Sequence, residues 1–434
     1  MALFNKKQRL TLASFTVIYI LLLLFCRFNS ARDPGSAFFQ PRAGYRPQYS
    51  LKRIDESLQF LSTLNQSAAL TQDYYPRNRS APIRNVDVCV GIVTVKRPLR
   101  QNLDTTIGSI LDNLTKEQRS TLAVQVLFAL TNATDHPNYQ HSWVPNAIDR
   151  ILTYEDFRKH KTVLRRLETL KNIKKKSLID YRLSLQSCYE DTDAPWFMML
   201  EDDVLAHRAW YKHTMESIRK IDGWKKSGLI NDWLYLRLFY TEKFLGWNKQ
   251  HWPIYLSWSV VIVSLIASMG LYGRRRFHPL RQILTNQFLA VICFICVPLL
   301  IGLFFMSGRV TVRPMKPGIH LMNRNGCCSQ ALVFPRETIP DLVDRLEDME
   351  DERRPKAVDT VIERLGNELN YDRLAISPPL MQHVGAASYK QDKKKWNGEY
   401  PVRGAHGVWS MEFERAHDQG IIMDGLTDAF WSSD

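Results

Sequence analysis

The amino-acid sequence predicts an α/β fold in a protein that also spans a membrane. Short runs of β-branched and apolar residues alternate along the chain with segments of helical periodicity, which is typical of a parallel sheet covered by helices. The strand-like runs lie at 86–94, 122–130, 195–200, 234–240 and 329–335. Longer apolar runs without charged residues fall outside this alternation and predict membrane-spanning helices.

Amphipathic helices are predicted between the strands. They are expected at 103–114, 155–188 (one helix or a pair), 210–221, 340–353 and 359–369. In the long segment, Tyr181 belongs to a leucine-rich face that we expect to pack on the core, whereas the lysine run 174–176 is expected to be a solvated face. Because parallel strands end at one edge of a sheet, we expect a ligand site there.

The predicted membrane spans are residues 10–26, 254–272 and 288–306. Each run is about long enough to cross a bilayer as a helix. No convincing small-residue cleavage site follows the first run, so we expect a retained signal anchor rather than a cleaved signal peptide. The second and third runs lie close together and are expected to form a membrane hairpin.

The loop within this hairpin, residues 273–282, predicts the orientation of the chain. It contains four arginines, which favours the cytosolic side. The stretch 27–253 is then lumenal and the N-terminus is cytosolic. The N-glycosylation sequons agree with this topology, since all of them lie in the predicted lumenal stretch, at Asn65, Asn78, Asn113 and Asn132.

The net charge and the cysteines restrict the function class. The 434 residues carry a formal charge of +14, yet no nucleic-acid-binding module is present and part of the charge flanks membrane segments. We therefore exclude nucleic acid and assign the charge to lipid headgroups and an anionic substrate. Four cysteines outside the membrane spans, Cys89, Cys188, Cys327 and Cys328, allow three pairings. We expect each of the adjacent two to join a distant partner rather than each other.

The most informative segment is the apolar run that ends in Glu201, Asp202 and Asp203. Three adjacent carboxylates at the end of a buried strand repel one another and lose hydration. A divalent cation relieves both effects, because hard cations bind carboxylate oxygens. The alternative is an acidic turn that caps the following helix.

These elements together resemble the GT-A glycosyltransferases. Segment 91–97, helix 105–114, the acidic triplet and segment 382–385 look like the N-glycan branching GlcNAc-transferases, whose members have a single membrane anchor. A GT-A domain interrupted by a membrane hairpin is similar to the post-GPI-attachment GalNAc-transferase family, Golgi enzymes that add a side-chain sugar to the GPI glycan. The resemblance covers about residues 86–388.

The resemblance implies a UDP-sugar donor and a divalent cation, normally Mn²⁺. It assigns Asp203 and His383 to the metal, and Glu201 and Asp202 to the ribose or to metal-bound waters. Further donor-binding candidates are Thr94, Val95, Lys96, Arg97 and Asp135. Inverting transfer also needs a general base, for which we choose Asp359 and keep Glu363 in reserve. The alternatives are a helix N-cap for Asp359, a hydrogen-bonded strand-end histidine for His383 and a solvated basic turn for 94–97.

The resemblance also organises the chain into segments. These are a cytosolic tail (1–9), an anchor (10–26), a stem (27–85), the first part of the GT-A domain (86–253), the hairpin (254–306), the second part (307–388) and a lumenal tail (389–434). The expected function is a Golgi membrane enzyme that transfers GalNAc, or a related sugar, to GPI-anchored proteins or GPI glycolipid. The alternatives are an N-glycan branching enzyme and a non-catalytic receptor or scaffold.

Overall fold

A computed structural model describes residues 4–66, 82–97, 100–322, 326, 328–385 and 409–419, apart from a few side chains at helix ends. The chain forms two compact units, and each unit combines stretches that are distant in sequence. Met1–Arg46 and Thr241–Met315 form one, which we call the helical unit. Pro47–Tyr240 and Lys316–Asp434 form the other, which we call the sheet unit.

The strands all belong to the sheet unit. They are β1 Val88–Thr94, β2 Leu122–Phe128, β3 Arg150–Leu152, β4 Trp196–Glu201, β5 Val204–Ala206, β6 Trp233–Arg237, β7 Gly318–Leu321, β8 Ala331–Pro335, β9 Asp372–Ser377 and β10 Met381–His383. The predicted strand runs are thus confirmed. Residues of β2 are buried throughout, which explains why these strands read as continuous apolar runs rather than as an alternating pattern.

Eight of these strands form one mostly parallel sheet in the order β3-β2-β1-β4-β8-β6-β9-β7. Strands β1 to β4 run parallel, whereas β8 is antiparallel to both β4 and β6. The remaining two strands, β5 and β10, form an antiparallel pair. Because β8 lies between β4 and β6, the part of the chain after residue 315 completes a sheet begun by the part before residue 241.

The helices alternate with the strands as predicted. They are α1 Lys6–Asn29, α2 Pro41–Gly44, α3 Tyr49–Gln66, α4 Leu103–Leu111, α5 Lys116–Ser120, α6 Val144–Ala147, α7 Arg158–Thr169, α8 Ile173–Asp191, α9 Trp210–Lys226, α10 Trp252–Arg276, α11 His278–Ile283, α12 Asn286–Val291, α13 Val297–Met306, α14 Arg309–Val312, α15 Ile339–Asp351, α16 Val358–Glu368 and α17 Met411–Gln419. A π-helical turn, Ile292–Cys296, joins α12 to α13.

Apolar cores cover both faces of the large sheet. Helices α4 and α9 bury Ile107 and Ile218 on one face. Helices α8, α15 and α16 bury Leu185 and Ile362 on the other. The disulfide Cys89–Cys188 links β1 to α8. The expectation that Cys327 and Cys328 pair with these two cysteines is therefore wrong, although Cys328 is itself disulfide-bonded.

Helix α3 corrects the predicted stem. It was expected in a spacer at 27–85, but it belongs to the sheet unit, where Leu61 joins the core and Arg53 is fully buried. The Arg53 guanidinium pairs with Asp112 and donates to the Ser109 carbonyl oxygen at 3.2 Å. The polar composition that suggested a stem reflects a helix with one buried face.

The three predicted membrane spans are confirmed as helices that are long and apolar enough to cross a bilayer. They are Lys6–Asn29, Glu242–Arg276 and Asn286–Met306, all within the helical unit. The chain is therefore a membrane protein.

The two ends of the helical unit are tied by hydrogen bonds. Near the start of α1, Gln8 Nε2 donates to the Ile283 carbonyl oxygen at 2.7 Å. Beyond the other end of α1, the Thr311 amide donates to Asp33 Oδ2 at 2.8 Å. The N-terminus of α1 thus lies at the same end of this unit as the loop between α10 and α12, as the predicted topology requires.

Two of the four predicted sequons have a described asparagine side chain. Asn113 and Asn132 are exposed, and Asn132 Oδ1 accepts from Thr134 Oγ1 at 2.8 Å. The side chain of Asn65, on α3, and the whole of Asn78 lie outside the described residues. Glycosylation of the four asparagines remains a prediction.

The contact between α3 and α4 gives the first testable prediction. A Cβ atom on Gly108 would lie 2.4 Å from the Ser57 carbonyl oxygen, so Gly108→Ala should destabilise the sheet unit by about 1–3 kcal/mol. Gly223, in α9, has nothing within 4 Å of such a Cβ, so Gly223→Ala should be neutral or stabilise by about 0.4–1 kcal/mol. Thermal unfolding of the two detergent-solubilised variants measures the difference, and equal melting temperatures would refute the close approach.

Candidate active site

The candidate site lies where β1 and β4 end. These neighbouring strands are parallel, and Val93 of β1 pairs with Glu201 of β4. Thr94 and the acidic triplet are therefore at the same edge of the sheet. This is the edge at which α/β proteins bind ligands, because side chains of several strand ends converge there.

Asp202 connects the two strand ends. It is buried, its Oδ2 accepts from Thr94 Oγ1 at 2.7 Å and its Oδ1 accepts from Arg97 Nε at 3.0 Å. Both oxygens of this carboxylate are therefore used within the protein. Asp202 fixes the turn after β1 against β4. These contacts support a positioning role for Asp202 rather than the predicted contact with the donor.

His136 extends this chain of hydrogen bonds. Its Nδ1 accepts from the Asn138 amide at 3.1 Å, so in the neutral ring Nε2 carries the proton. Nε2 lies 2.9 Å from Thr94 Oγ1, which donates in turn to Asp202. Burial lowers the pKa of His136 to about 4, so the imidazole is neutral at physiological pH.

Asp135, the predicted donor ligand in this region, is exposed and accepts from Asn132 Nδ2 at 3.1 Å. The structure thus brings His136, not Asp135, to the strand ends. A lone histidine after a turn carries no sequence signal that separates it from its exposed neighbour.

Asp203 and His383 form the centre of the site. Their side chains lie 3.2 Å apart (Oδ2 to Nε2), and both are at least nine-tenths buried. Strand β10 places the histidine, because His383 pairs with Val204 of β5, the residue after Asp203. The Val384 amide also donates to the Asp203 carbonyl oxygen at 2.8 Å.

The neighbours of Gly385 and Gln382 further restrict the position of segment 382–385. A Cβ atom on Gly385 would lie 2.0 Å from Asp203 Oδ2, so a side chain at this position would displace the Asp203 carboxylate. On the other side of β10, Gln382 Nε2 donates to the Ser410 carbonyl oxygen at 2.8 Å. Residues 409–419, which lie in the predicted tail, therefore help to hold the strand that carries His383.

Glu201, Asp203 and His383 have the geometry of a metal-binding group. Their ligand atoms all lie within 4.8 Å of one another. Asp203 Oδ1 and His383 Nδ1 are buried and have no hydrogen-bond partner in the part of the chain that is described. Carboxylate oxygens and an imidazole nitrogen suit a divalent cation such as Mn²⁺. The residues present therefore fit the predicted metal.

The charges of the site are strongly coupled. Burial, and then the adjacent Asp203 carboxylate, raise the pKa of Glu201 to about 7. Burial alone would also raise the pKa of Asp203, but His383 and Arg97 outweigh it and hold that pKa below the usual range. Burial lowers the pKa of His383, yet the Asp203 carboxylate reverses this and raises it. A divalent cation would take over the role of these positive partners.

Arg97 is the cation closest to the triplet. Its guanidinium pairs with Asp202 and lies 2.9 Å from Asp203 Oδ2. Burial lowers the pKa of Arg97, but the two aspartates more than compensate and raise it. The solvated-turn alternative is wrong for Arg97 and Thr94, whereas Lys96 is exposed and fits it.

A cavity of about 500 Å³ opens beside this cluster. It is lined by the triplet, His383, Val95, Arg97 and Asp359. Asp359 is the second residue of α16, whose N-cap is Ala357, so the N-cap alternative for Asp359 is wrong. Its Oδ1 accepts from the Thr360 amide at 2.7 Å, and the carboxylate is only partly buried.

Glu363, the reserve base, lies one turn further along α16 and away from the cavity lining. It is buried and accepts from the Tyr235 hydroxyl. Arg237 Nη2 and Arg373 Nε each lie 3.3 Å from its carboxylate oxygens. This network occupies the carboxylate, so the structure does not place Glu363 where it can accept a proton from a ligand.

Helix α8 supplies cavity residues that the sequence interpretation assigned elsewhere. Lys176 is not solvated: it is buried and donates to the Ala129 carbonyl oxygen and to Asp180 Oδ2, both at 2.8 Å. Tyr181 packs against the core as expected, and it also lines the cavity together with Gln330. Tyr181 follows Leu178 by three residues and precedes Leu185 by four, so it lies on the same face of α8 as these leucines. This face also lies beside the end of β4, where the cavity is.

The Thr94 hydroxyl gives the second prediction. Thr94→Val removes the oxygen that bridges His136 and Asp202, and leaves a buried imidazole N–H without its acceptor. We expect a loss of about 1–3 kcal/mol in the free energy of unfolding. Thr94→Ser keeps the hydroxyl and should retain most of the stability. Chemical denaturation of both variants measures this, and a valine variant as stable as the serine variant would contradict the network.

Comparison with known proteins identifies the family. The family model described as GPI-N-acetylgalactosamine transferase PGAP4 matches residues 88–382, which is more than half of the chain. None of the curated proteins matches it significantly. The matched segment begins at β1, contains the triplet and all of α16, and ends next to His383. The chain therefore belongs to the GPI-N-acetylgalactosamine transferase PGAP4 family, which is a family of glycosyltransferases.

Proposed function

We propose that this protein transfers N-acetylgalactosamine from a UDP-sugar to the mannose core of GPI anchors, in an inverting and metal-dependent reaction in the Golgi lumen. The observation that carries the proposal is the buried Asp203–His383 pair beside Glu201, which lines a cavity of about 500 Å³. The family membership supports the GPI acceptor. The parallel strands, of which β4 ends in the acidic triplet, support a GT-A nucleotide-sugar-binding fold.

Asp203 and His383 would hold the divalent cation, with Glu201 as a further ligand or a partner of its bound water. When bound, such a cation neutralises the diphosphate that leaves with the nucleotide. Arg97 lies in contact with Asp203 and lines the same cavity, so its guanidinium is available to the phosphate oxygens. Asp202 and Thr94 keep the β1 turn that carries Arg97 in place.

Asp359 is the proposed general base. In a single displacement, the acceptor hydroxyl gives its proton to the Asp359 carboxylate while its oxygen bonds to the anomeric carbon of the donor sugar. The bond from that carbon to the UDP oxygen breaks, and UDP leaves with the electron pair. Attack from the face opposite UDP inverts the anomeric configuration. Asp359 suits this role because it lines the cavity and its side chain is only partly buried.

The two compact units support the proposed membrane topology. Segments 47–240 and 316–434 form one compact unit, so we place both on the same side of the membrane. The intervening stretch 241–315 must then cross an even number of times, which agrees with its two candidate spans. The arginine-rich loop between these spans favours the cytosolic side, and the sheet unit is then lumenal. A hairpin inside the catalytic chain suits an acceptor anchored in the same bilayer.

The third prediction tests the metal site and the function together. Cells that lack the protein should lose one N-acetylhexosamine from their GPI glycans, as read by mass spectrometry. Wild-type protein should restore it, but Asp203→Asn should not, because losing a metal ligand removes several kcal/mol of transition-state stabilisation, on the order of 10²–10⁴ in rate. EDTA should likewise abolish transfer by the purified wild-type protein.

Asp55→Asn is the matched control for this change. Asp55 is an exposed residue of α3, so the same substitution there should leave both the GPI glycan and protein expression unchanged. Full rescue by Asp203→Asn, or undiminished transfer in EDTA, would refute the metal-dependent mechanism. Loss of a hexose rather than an N-acetylhexosamine would keep the transferase but change the donor.

The fourth prediction separates chemistry from donor binding. Asp359→Asn keeps the shape of the side chain but cannot accept the proton, so transfer should fall by roughly 10²–10⁴-fold while UDP affinity is retained. Asp344→Asn changes an exposed residue of α15 and should behave as wild type. Measurements of kcat and of UDP binding on purified protein test this. A parallel loss of UDP binding would instead assign Asp359 to the donor site.

A further inference from the structure

Gln330 lies directly beside the acidic triplet. It precedes β8, which runs antiparallel to β4 with Ala331 opposite Leu200. The Glu201 amide donates to the Gln330 carbonyl oxygen at 3.1 Å, so the next pair in this register is Glu201 and Gln330. Residues directly opposite each other in an antiparallel pair project to the same face of the sheet. Glu201 and Gln330 both line the 500 Å³ cavity accordingly.

Besides the metal-binding group, two polar groups of this cavity have no hydrogen-bond partner among the described residues. Gln330 is only 7% exposed, yet its Oε1 has no hydrogen-bond partner in the described segments. The hydroxyl oxygen of Tyr181, another cavity-lining residue, is also buried and has no partner there, while the residue as a whole is partly buried. Buried amide and hydroxyl groups in proteins are nearly always hydrogen-bonded, so each exception needs an explanation. A bound ligand that supplies the missing partners explains both.

The chemistry of these groups limits the ligand. A primary amide and a phenol donate and accept hydrogen bonds but carry no charge. Of the cations that line this cavity, Lys176 is paired with Asp180, Arg97 lies against the two aspartates and Lys171 is exposed. The diphosphate is proposed to bind beside Arg97, and an uncharged amide and phenol offer an anion no charge compensation of their own. Neutral hydroxyl groups of a sugar ring, or an acetamide on that ring, match both side chains.

We propose that Gln330 and Tyr181 form a subsite for the sugar hydroxyls of the bound sugar nucleotide. The proposal rests on the proposed function, since it assumes that a UDP-sugar occupies the cavity. It adds two specificity residues to the metal-binding group, one from α8 and one that immediately precedes β8. The sugar ring is either the ribose or the transferred hexosamine, and both present the same neutral hydroxyl chemistry.

Two conservative variants test the subsite in the purified full-length protein. Tyr181→Phe removes only the hydroxyl, and Gln330→Met keeps the length of the side chain without its amide. Calorimetric titration with UDP and with UDP-GalNAc, each in the presence of manganese, gives the affinities. We expect each variant to weaken the binding of UDP-GalNAc by roughly two- to tenfold. Tyr189→Phe is the matched control, because Tyr189 lies on the same helix but packs on Phe197 and Arg336.

The melting temperature of the unliganded variants distinguishes a ligand contact from a structural role. A variant that merely loses packing unfolds at a lower temperature, whereas removing a buried polar group that has no partner leaves the melting temperature unchanged or raises it. We therefore expect weaker binding together with unchanged or higher thermal stability in both variants. Weaker binding that is fully accounted for by a destabilised protein would overturn the proposal.

The two nucleotides identify which sugar ring is bound. If UDP and UDP-GalNAc lose affinity equally, the subsite holds the ribose. If UDP-GalNAc alone loses affinity, the subsite holds the transferred sugar. Wild-type affinity of both variants for both nucleotides would overturn the subsite while leaving the proposed function intact. Failure of the wild-type protein to bind either nucleotide would overturn the proposed function, and the subsite with it.

Discussion

Three consecutive carboxylates at the end of a buried strand are the constraint on which the site depends. Each carboxylate is compensated differently. Asp202 is paired with Arg97 and accepts a hydrogen bond from Thr94, and Asp203 is paired with Arg97 and His383. Among the described residues, the Glu201 carboxylate accepts a hydrogen bond only from the Ser329 hydroxyl, at 3.4 Å, and its pKa is raised to about 7 by burial and by Asp203. Three carboxylates therefore face one guanidinium and one imidazole as positive partners. A divalent cation would compensate the remaining negative charge.

The sheet topology brings the compensating groups together from distant parts of the chain. Arg97 and Thr94 precede the membrane-spanning stretch, whereas His383 and Gln330 follow it. Strand β8, from the second part, lies between β4 and β6 of the first, so neither part contains a complete sheet without the other. A site of this kind cannot form until both parts meet. The stretch 241–315, which contains two membrane spans, is inserted between the two parts of the sheet unit. Such an insertion is compatible with folding of the sheet unit as long as both ends of the insertion emerge on the same side of the membrane.

Much of this architecture is predictable from local sequence pattern, because buried parallel strands and membrane helices both have a strong apolar signature. The triplet was also predictable, since adjacent acids at a strand end are costly without a partner, whereas His383 was assigned only by the family resemblance. The parts that were not predictable depend on tertiary contacts. Nothing local distinguishes buried His136 from exposed Asp135, and Lys176 is buried only because Asp180 lies one turn away with the Ala129 carbonyl oxygen nearby. Helix α3 looks like a polar spacer until its buried face is known.

The buried ion pairs beneath α16 connect the fold to the proposed chemistry. The Glu363 carboxylate accepts a hydrogen bond from the Tyr235 hydroxyl of β6. It also forms ion pairs with Arg237 of β6 and Arg373 of β9. A Cβ atom on Gly366 would lie 2.6 Å from Arg373 Nε, so the helix approaches β9 as closely as a glycine permits. Buried ion pairs add little net stability, because desolvation offsets their attraction. Their effect is to fix the position of α16 against the sheet. Since Asp359 stands one turn before Glu363, and β6 is joined to β4 through β8, the same contacts fix the distance from Asp359 to the acidic triplet. Glu363, the reserve base of the sequence analysis, thus affects the site indirectly, because it fixes the position of α16.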